Sequence, residues 1–464
     1  DFTDLKISFD MHFDAWSGTT TNEYLYIEYC TGSGWENALT FLADAELGAV
    51  DIPWGNNSYL LTGLGDLDTL QIRFRTAGTY AYNINYWYVD NVSIQLAPFW
   101  YVATTGSDAT GDGTYTNPFA TIQTAIDSSI DGDVVSVAAG TYVENIYIDK
   151  NIAILGEDRE TTIIDGDSSG SVVTFSNSVN ETALLSGFTI TNGSGLMEDD
   201  PSNNWDNGLS KGGGIYLDEC SPILEQLIIE NNTVSGGGGG ISKSSQNSSL
   251  HISHSIIRNN TAKYAGAIHG QNGSNEITDC QIYNNHATNI GGGFGGVMTV
   301  SNSSIYNNTA VDGAAAMSAD ATMLNCVVSG NESPNYCIEI GGGNTEIKNT
   351  IIWGNTPSAI QCWSAITISY SDIEGGQEAF LDDGTAPNWN SGNIDANPLF
   401  CEPDSNNYHL SENSPCLGSG QDGSDMGAFG VGCGTLEIEF PSIVDIWDVP
   451  DDQGNWVYIQ FTSS

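Results

Sequence analysis

Residues 227–232 read LIIENN, and the phrase returns as IIRNN at 256–260, QIYNN at 281–285, SIYNN at 304–308, VVSGN at 327–331 and IIWGN at 351–355. Aligned on their last letter, these phrases put Asn232, Asn260, Asn285, Asn308, Asn331 and Asn355 in one column, at spacings of 28, 25, 23, 23 and 24 residues. A near-constant period of this size marks stacked repeats, each burying its apolar face against its neighbours. Three residues before each Asn stands Ile229, Ile257, Ile282, Ile305, Val328 or Ile352. That column predicts a stack of apolar side chains filling the bore of a parallel β-helix, built from three short parallel sheets with the Asn column at one turn. Some nine residues after the Asn come GGGGI ending at Ile241, AGAI at Ile268, GGGF at Phe294 and AAAM at Met317, where small residues permit tight bends and close coil contact. Turn Asn side chains can bond the next coil's backbone and tolerate the left-handed conformation, which gives the column a structural role. Several Asn of these phrases lie in N-x-S/T sequons, Asn307 among them, which alone does not make a glycan.

Outward from the repeats, TIQTAIDSS (121–129) has apolar positions at helical spacing and predicts one short helix. It precedes GDVVSVAAGTYVENI (132–146), whose strand pattern opens the first coils. This pair resembles the N-terminal cap of the pectin-lyase-like superfamily, and the resemblance implies a right-handed parallel β-helix over residues 98–433. NPLFCEPDSNNYHL with MGAFGVGC resembles the closing segment of secreted bacterial proteins of that kind. Residues 1–97 alternate apolar and polar positions in LKISFDMHF, YLYIEYC, LQIRFR and YWYVDNVSI, a β-sandwich pattern. With GSGWENALTF and WYVDNVSI as the matching stretches, this segment resembles jelly-roll modules of the MAM and carbohydrate-binding type. Residues 434–464 resemble the opening of a fibronectin-like module. Both ends fall inside strand-like patterns, so the expectation is an all-β piece of a longer polypeptide with further domains.

The chain carries 58 acidic and 10 basic residues, a net charge of -48. Such a surface repels phosphate backbones and anionic headgroups, which argues against nucleic acid and membrane surface as partners and suits a protein adapted to salt. Acidic bias can signal disorder, but 39% hydrophobic residues, 11 Trp and 20 Tyr supply a core. No run of about 18 apolar residues exists to cross a bilayer, and DFTDLKISFD lacks the regions of a signal peptide. Nine Cys, with Cys401, Cys416 and Cys433 clustered, suit an oxidising, extracellular compartment. Cys401 and Cys416 enclose a short loop that a bridge would close, and Cys337 and Cys362 fall on successive coils within bridging reach.

Two residues before each Asn, strand alternation turns the side chain outward, giving the column Glu230, Arg258, Tyr283, Tyr306, Ser329, Trp353 and, one coil on, Glu374. Coils about 4.8 Å apart would stack Tyr283 on Tyr306 and pair Glu230 with Arg258. Exposed aromatic rings suit the C–H faces of sugars, so Tyr283, Tyr306, Trp353, Arg258 and Glu230 are candidate glycan contacts. The alternative is a stacking ladder that only stabilises the coil.

For catalysis, a glycosidase needs two facing carboxyls, and the pairs Asp199-Asp200, Asp382-Asp383 and Asp451-Asp452 lie outside the coil strands. A lyase needs a base, for which Lys243, His269 and Arg258 are the candidates; aligning Ile241 with Ile268 puts Lys243 near His269. A solvated Lys beside a polar His is the plainer reading. The insertion at 195–211, with Trp205 and four carboxylates, would wall a cleft. Asp108 and Asp112 in GSDATGDGTYTN suggest a calcium loop but lack the complete motif, so a polar turn competes, and no other cofactor is indicated. Two functions follow. One is a non-catalytic surface or adhesion rod with a carbohydrate or other cell-surface ligand and a capacity for self-assembly. The other is a polysaccharide lyase or glycoside hydrolase acting on an acidic polysaccharide.

Overall fold

A computed structural model of the chain describes strands 5–15, 23–30, 35–43, 52–61, 71–78 and 84–96. It also describes residues 99–437 apart from 177, 198–207, 245–247, 272, 342–344, 365 and 382–384, and strands 443–448 and 457–461. The insertion's Trp205 and carboxylates and the three Asp pairs lie outside the described residues. Two compact units result, Asp1–Phe99 and Trp100–Ser464.

In the first unit, Leu5–Ala15 pairs antiparallel with Ile52–Leu61 and Ile84–Leu96, and Glu23–Cys30 with Trp35–Ala43 and Gln71–Gly78. Phe9 of one three-stranded sheet meets Phe74 of the other edge-on at 5.3 Å, and Ile7, Phe9 and Ile27 are buried. Two sheets packed face to face over such residues make a sandwich. On strand Glu23–Cys30, Glu28 accepts from Arg73 Nε at 2.7 Å and Arg75 Nε at 2.8 Å, and these hydrogen bonds hold its carboxyl down at about 2.

The second unit is a parallel β-helix of about 11 turns. Ten strands, from Gly140–Val143 to Asp372–Ile373, form the sheet that leads into the Asn turn, here the ladder sheet. After the turn come second-sheet strands such as Ile215–Leu217, Ile241–Lys243 and Ile268–His269, then third-sheet strands such as Ile223–Glu225, Leu250–Ser253 and Asn275–Thr278. Phe294–Ser301 and Met317–Leu324 run through both and join them. Ile229, Ile257, Ile282, Ile305, Val328 and Ile352 are 0–3% exposed and pair in register, each worth about 1.5–3 kcal/mol of burial. At one end, helix α1 (Ile122–Ser128) buries Ile122, Ala125 and Ile126. Its first N–H groups are met by Thr121 Oγ1 and the Glu144 carboxylate, which accepts from Ile122 and Gln123.

The Asn column is an interior ladder. Each Nδ2 donates to Oδ1 of the next Asn, from Asn232 to Asn260 at 2.9 Å and on through Asn285, Asn308 and Asn331 to Asn355. Each Oδ1 also accepts the preceding coil's Asn N–H, as between Asn285 N and Asn308 at 3.0 Å. The left-handed residue expected in this column stands one place earlier, at Asn231, Asn259, Asn284, Asn307, Gly330 and Gly354, with φ between 52° and 73°. Asn and Gly fill these six places, the residues that adopt that conformation at least cost. A second turn carries an unforeseen ladder: Ser255, Ser303 and Ser371 accept the N–H of Leu227, Cys280 and Thr350.

Disulfides differ from expectation. Cys401 bonds Cys433, while Cys416, Cys337 and Cys362 are free and buried. Strands Phe400–Glu402 and Val431–Cys433 both pair with Asn407–Ser411, and Cys401 and Cys433 lie at a Cα separation of 5.9 Å. Cys416 instead turns into an apolar cluster with Tyr408, Leu410 and Met426. No described helix is long and apolar enough to cross a membrane.

Candidate functional site

Strand alternation brings the predicted outward residues into one column on the ladder sheet, in register from Glu230 through Arg258, Tyr283, Tyr306 and Ser329 to Trp353. Arg258 Nε donates to Glu230 Oε2 at 2.6 Å and Nη1 to the Tyr283 hydroxyl at 2.9 Å. Burial alone would lower the Arg258 guanidinium, but Tyr283 and Glu230 outweigh it and hold the charge firmly. Tyr283 and Tyr306 stack with centroids 4.7 Å apart and planes 7° from parallel.

The expected open row of rings is interrupted. Tyr306 is only 4% exposed, because the chain after Ala396 returns over the ladder sheet and lays Tyr408 on it at 5.0 Å. Phe400, Leu410, Cys416 and Met426 complete the cover over Val327 and Ile351. Tyr306 therefore offers no face to a sugar, and its hydroxyl is spent on Gln281 Oε1 at 3.2 Å. Tyr283 and Trp353 stay half-buried at the margins of the cover.

At the Trp353 margin lies a groove of about 810 Å³ between the ladder sheet and the returning segment. Trp353 shares it with Asn307, Asn397, Asp404, Tyr408 and Glu437, and among the described residues no Lys, Arg or His lines it. Asn307 Nδ2 reaches across to Asn406 Oδ1 at 2.8 Å, which fastens the segment at that edge.

The proposed pairing of Lys243 with His269 fails. Ser242, not Lys243, stands opposite His269, so the two candidates point to opposite sides of the sheet. Lys243 lies in register with core residue Leu217 and is buried in the bore. His269 faces outward into a cleft of about 450 Å³ with Tyr264, Asn289, Ile290 and Ser318, where Gly295 leaves space. Arg258 is occupied as described, on the ladder sheet, where its paired neighbours are Glu230 and Tyr283.

A third groove, of about 620 Å³, was not foreseen; Arg159, His254, Asp279 and Gln281 line it. His254 lies 3.7 Å from Glu225 and 3.6 Å from Asp279, on neighbouring coils, and Arg159 Nη1 donates to its carbonyl at 2.8 Å. The signal in the sequence was slight: His254 holds the left-handed place, φ 49°, that Asp279, Asn302 and Asn325 hold in later coils.

Asp108 and Asp112 are explained by local structure. Asp108 accepts from Ala120 N, Thr121 N and Thr121 Oγ1, and these bonds outweigh burial to keep its carboxyl below the usual range. Asp112 accepts the Thr114 hydroxyl and N–H in a turn. Among the described residues no group of three or more His, Cys, Asp or Glu is placed to hold a metal ion.

Residues 245–393 match the family model described as a right handed beta helix region. The fold is accordingly a right-handed parallel β-helix. No curated protein matches the sequence. Among solved structures, the chain is similar to pectate lyase Pel9A at 13% identity and a TM-score of 0.47, over 72% of this chain and 96% of that one. It is also similar to pectin methylesterase PemA from Erwinia chrysanthemi, at 12% identity and 0.28, over 61% and 80%. The catalytic domain of GH87 alpha-1,3-glucanase follows at 13% and 0.25, over 80% and 79%. At these values none of the three bears on the chemistry of the grooves.

Proposed function

We propose that the chain is an extracellular, non-catalytic surface or adhesion protein, a stiff rod that holds a neutral carbohydrate in the groove beside Trp353. The groove's composition carries this reading: one indole face, amide and carboxylate acceptors, and no cation among the described residues. An indole accepts the C–H face of a sugar ring, while Asn307, Asn397, Asp404 and Glu437 offer acceptors and donors to its hydroxyls. Two carboxylates without a basic neighbour would repel a uronate, which separates this site from one built for an acidic polysaccharide. Glycan-array retention by the whole chain and by Trp353→Ala tests the reading. Retention of a neutral glycan should be lost in the variant with the melting transition largely kept; unchanged retention would sink it.

A second reading, a lyase or hydrolase, draws on the cleft floored by His269. A base facing outward in a sugar-sized cleft is what proton abstraction requires. Release of unsaturated uronate or reducing ends from a polysaccharide panel, lost in His269→Ala, would put this reading first.

A further inference from the structure

Lys243 stands where the repeat calls for an apolar side chain. It is 0% exposed in the bore, and Nζ donates to the Ser248 carbonyl at 2.6 Å and to Asn275 Oδ1 at 2.8 Å. Both partners are neutral, so the ammonium has lost its water without gaining a counter-ion there. Burial pushes the amine down to about 8, which leaves a useful fraction as the free nucleophile near neutral pH.

Asn275, on the following coil, is held as an acceptor for attack. Its Nδ2 donates to the Val297 carbonyl at 2.6 Å and the Gly270 carbonyl at 3.0 Å, which turns Oδ1 toward Lys243. Oδ1 also accepts the Leu250 N–H at 3.2 Å, a donor aimed where negative charge would build on that oxygen. Gly270 leaves no slack: a Cβ there would meet Met298 Cε at 2.2 Å and Asn275 Nδ2 at 3.1 Å. Nucleophile and carboxamide are thus enclosed together, the arrangement in which effective concentrations reach about 10⁵–10⁸ M.

We propose that Lys243 and Asn275 form an intramolecular amide cross-link between successive coils. The Nζ lone pair bonds to Cγ of Asn275, giving a tetrahedral centre whose oxygen is held by the Leu250 N–H. The Cγ–Nδ2 bond then breaks, one Nζ proton moves to Nδ2, and ammonia leaves; no oxidant or co-reactant enters. Ser248, whose carbonyl holds Nζ, also carries a buried hydroxyl with no hydrogen-bond partner among the described residues, a neutral group available to relay that proton. The product removes a buried charge and ties the second sheet of one coil to the third sheet of the next.

The test is the mass of the whole folded chain, held at pH 8 for several days and then denatured without reduction. It should be one ammonia lighter than the sequence with its disulfide, and digestion should yield a branched peptide joining the Lys243 and Asn275 segments, with no tryptic cleavage after Lys243. Lys243→Arg and Asn275→Ala should each restore the full mass. Full mass in the unsubstituted chain with cleavage after Lys243 overturns the proposal, and so does a lighter mass without the branched peptide. The reading on the unsubstituted chain needs no variant to fold, and it is independent of whether the Trp353 groove binds sugar.

Discussion

Asp372 is the most informative side chain to change. It begins the strand Asp372–Ile373, is 0% exposed, and faces the segment that returns over the ladder sheet. Its Oδ1 accepts the Ala396 N–H at 3.1 Å, its Oδ2 accepts the Cys416 thiol at 3.2 Å, and no cation is among these partners. Burial, aided by the charges of Asp395 and Glu374, pushes the carboxyl up from 3.8 to about 6. A raised carboxyl holds its proton in the fold after the unfolded chain has lost it, so stability is full below about pH 4 and declines as pH rises to about 6. Ionising a carboxyl held up at about 6 corresponds to about 3 kcal/mol lost above that range. Asp372→Asn keeps the shape and cannot ionise. Urea unfolding at pH 4, 5, 6 and 7.5 should give a variant near the parent at pH 4 and more stable by up to about 3 kcal/mol at pH 7.5. The difference between the proteins is the readout, because other carboxylates titrate equally in both. Parallel pH slopes for the two would refute the assignment of Asp372 as a neutral buried acid.

Asn285→Ala removes one rung of the ladder and strands its neighbours' donors and acceptors, so denaturant melts should show a loss of about 1–3 kcal/mol. Asn284→Gly should be close to neutral and Asn284→Ala should cost about 1–2 kcal/mol, since φ is 54° there; equal costs would contradict the left-handed assignment. Tyr306→Ala should cost about 3–5 kcal/mol, the price of a cavity under Tyr408, where an exposed ring would cost little. Cys401→Ser opens a cross-link of sequence separation 32 and should cost about 3–4 kcal/mol, with one more thiol titrating in the unreduced, denatured chain.

What the sequence made legible was whatever repeats along the coil. The Ile229-to-Ile352 column and the Asn232-to-Asn355 column are visible because each coil solves the same packing problem with the same residue type. The hydroxyl ladder at Ser255, Ser303 and Ser371 was equally present, two residues before the inward Ile, but Cys280, Cys326 and Thr350 in the same column disguised it. The choice between Asn284 and Asn285 as the left-handed residue was hidden because both are turn formers, and only the ladder's geometry separates them. Lys243 was misplaced by a single residue, which in a strand reverses the face.

What could not be read was contact at long separation. Tyr306 and Tyr408 meet only because the chain leaves the last coil and doubles back, and nothing in either residue's neighbourhood records that turn. The same return converts an exposed aromatic row into a covered core and leaves a groove at its Trp353 edge. Regular coils satisfy their own polar groups through two ladders, so they have little unspent chemistry to offer a ligand. The unusual groups sit where the repeat is broken: an amine in the bore at Lys243, a neutral acid under the returning segment at Asp372, and an indole at the segment's margin at Trp353. Sites that break a local rule and persist are the ones where a role other than stability is expected. In this β-helix the places to test are therefore the exceptions to its period, and the column of matching residues is the frame that holds them.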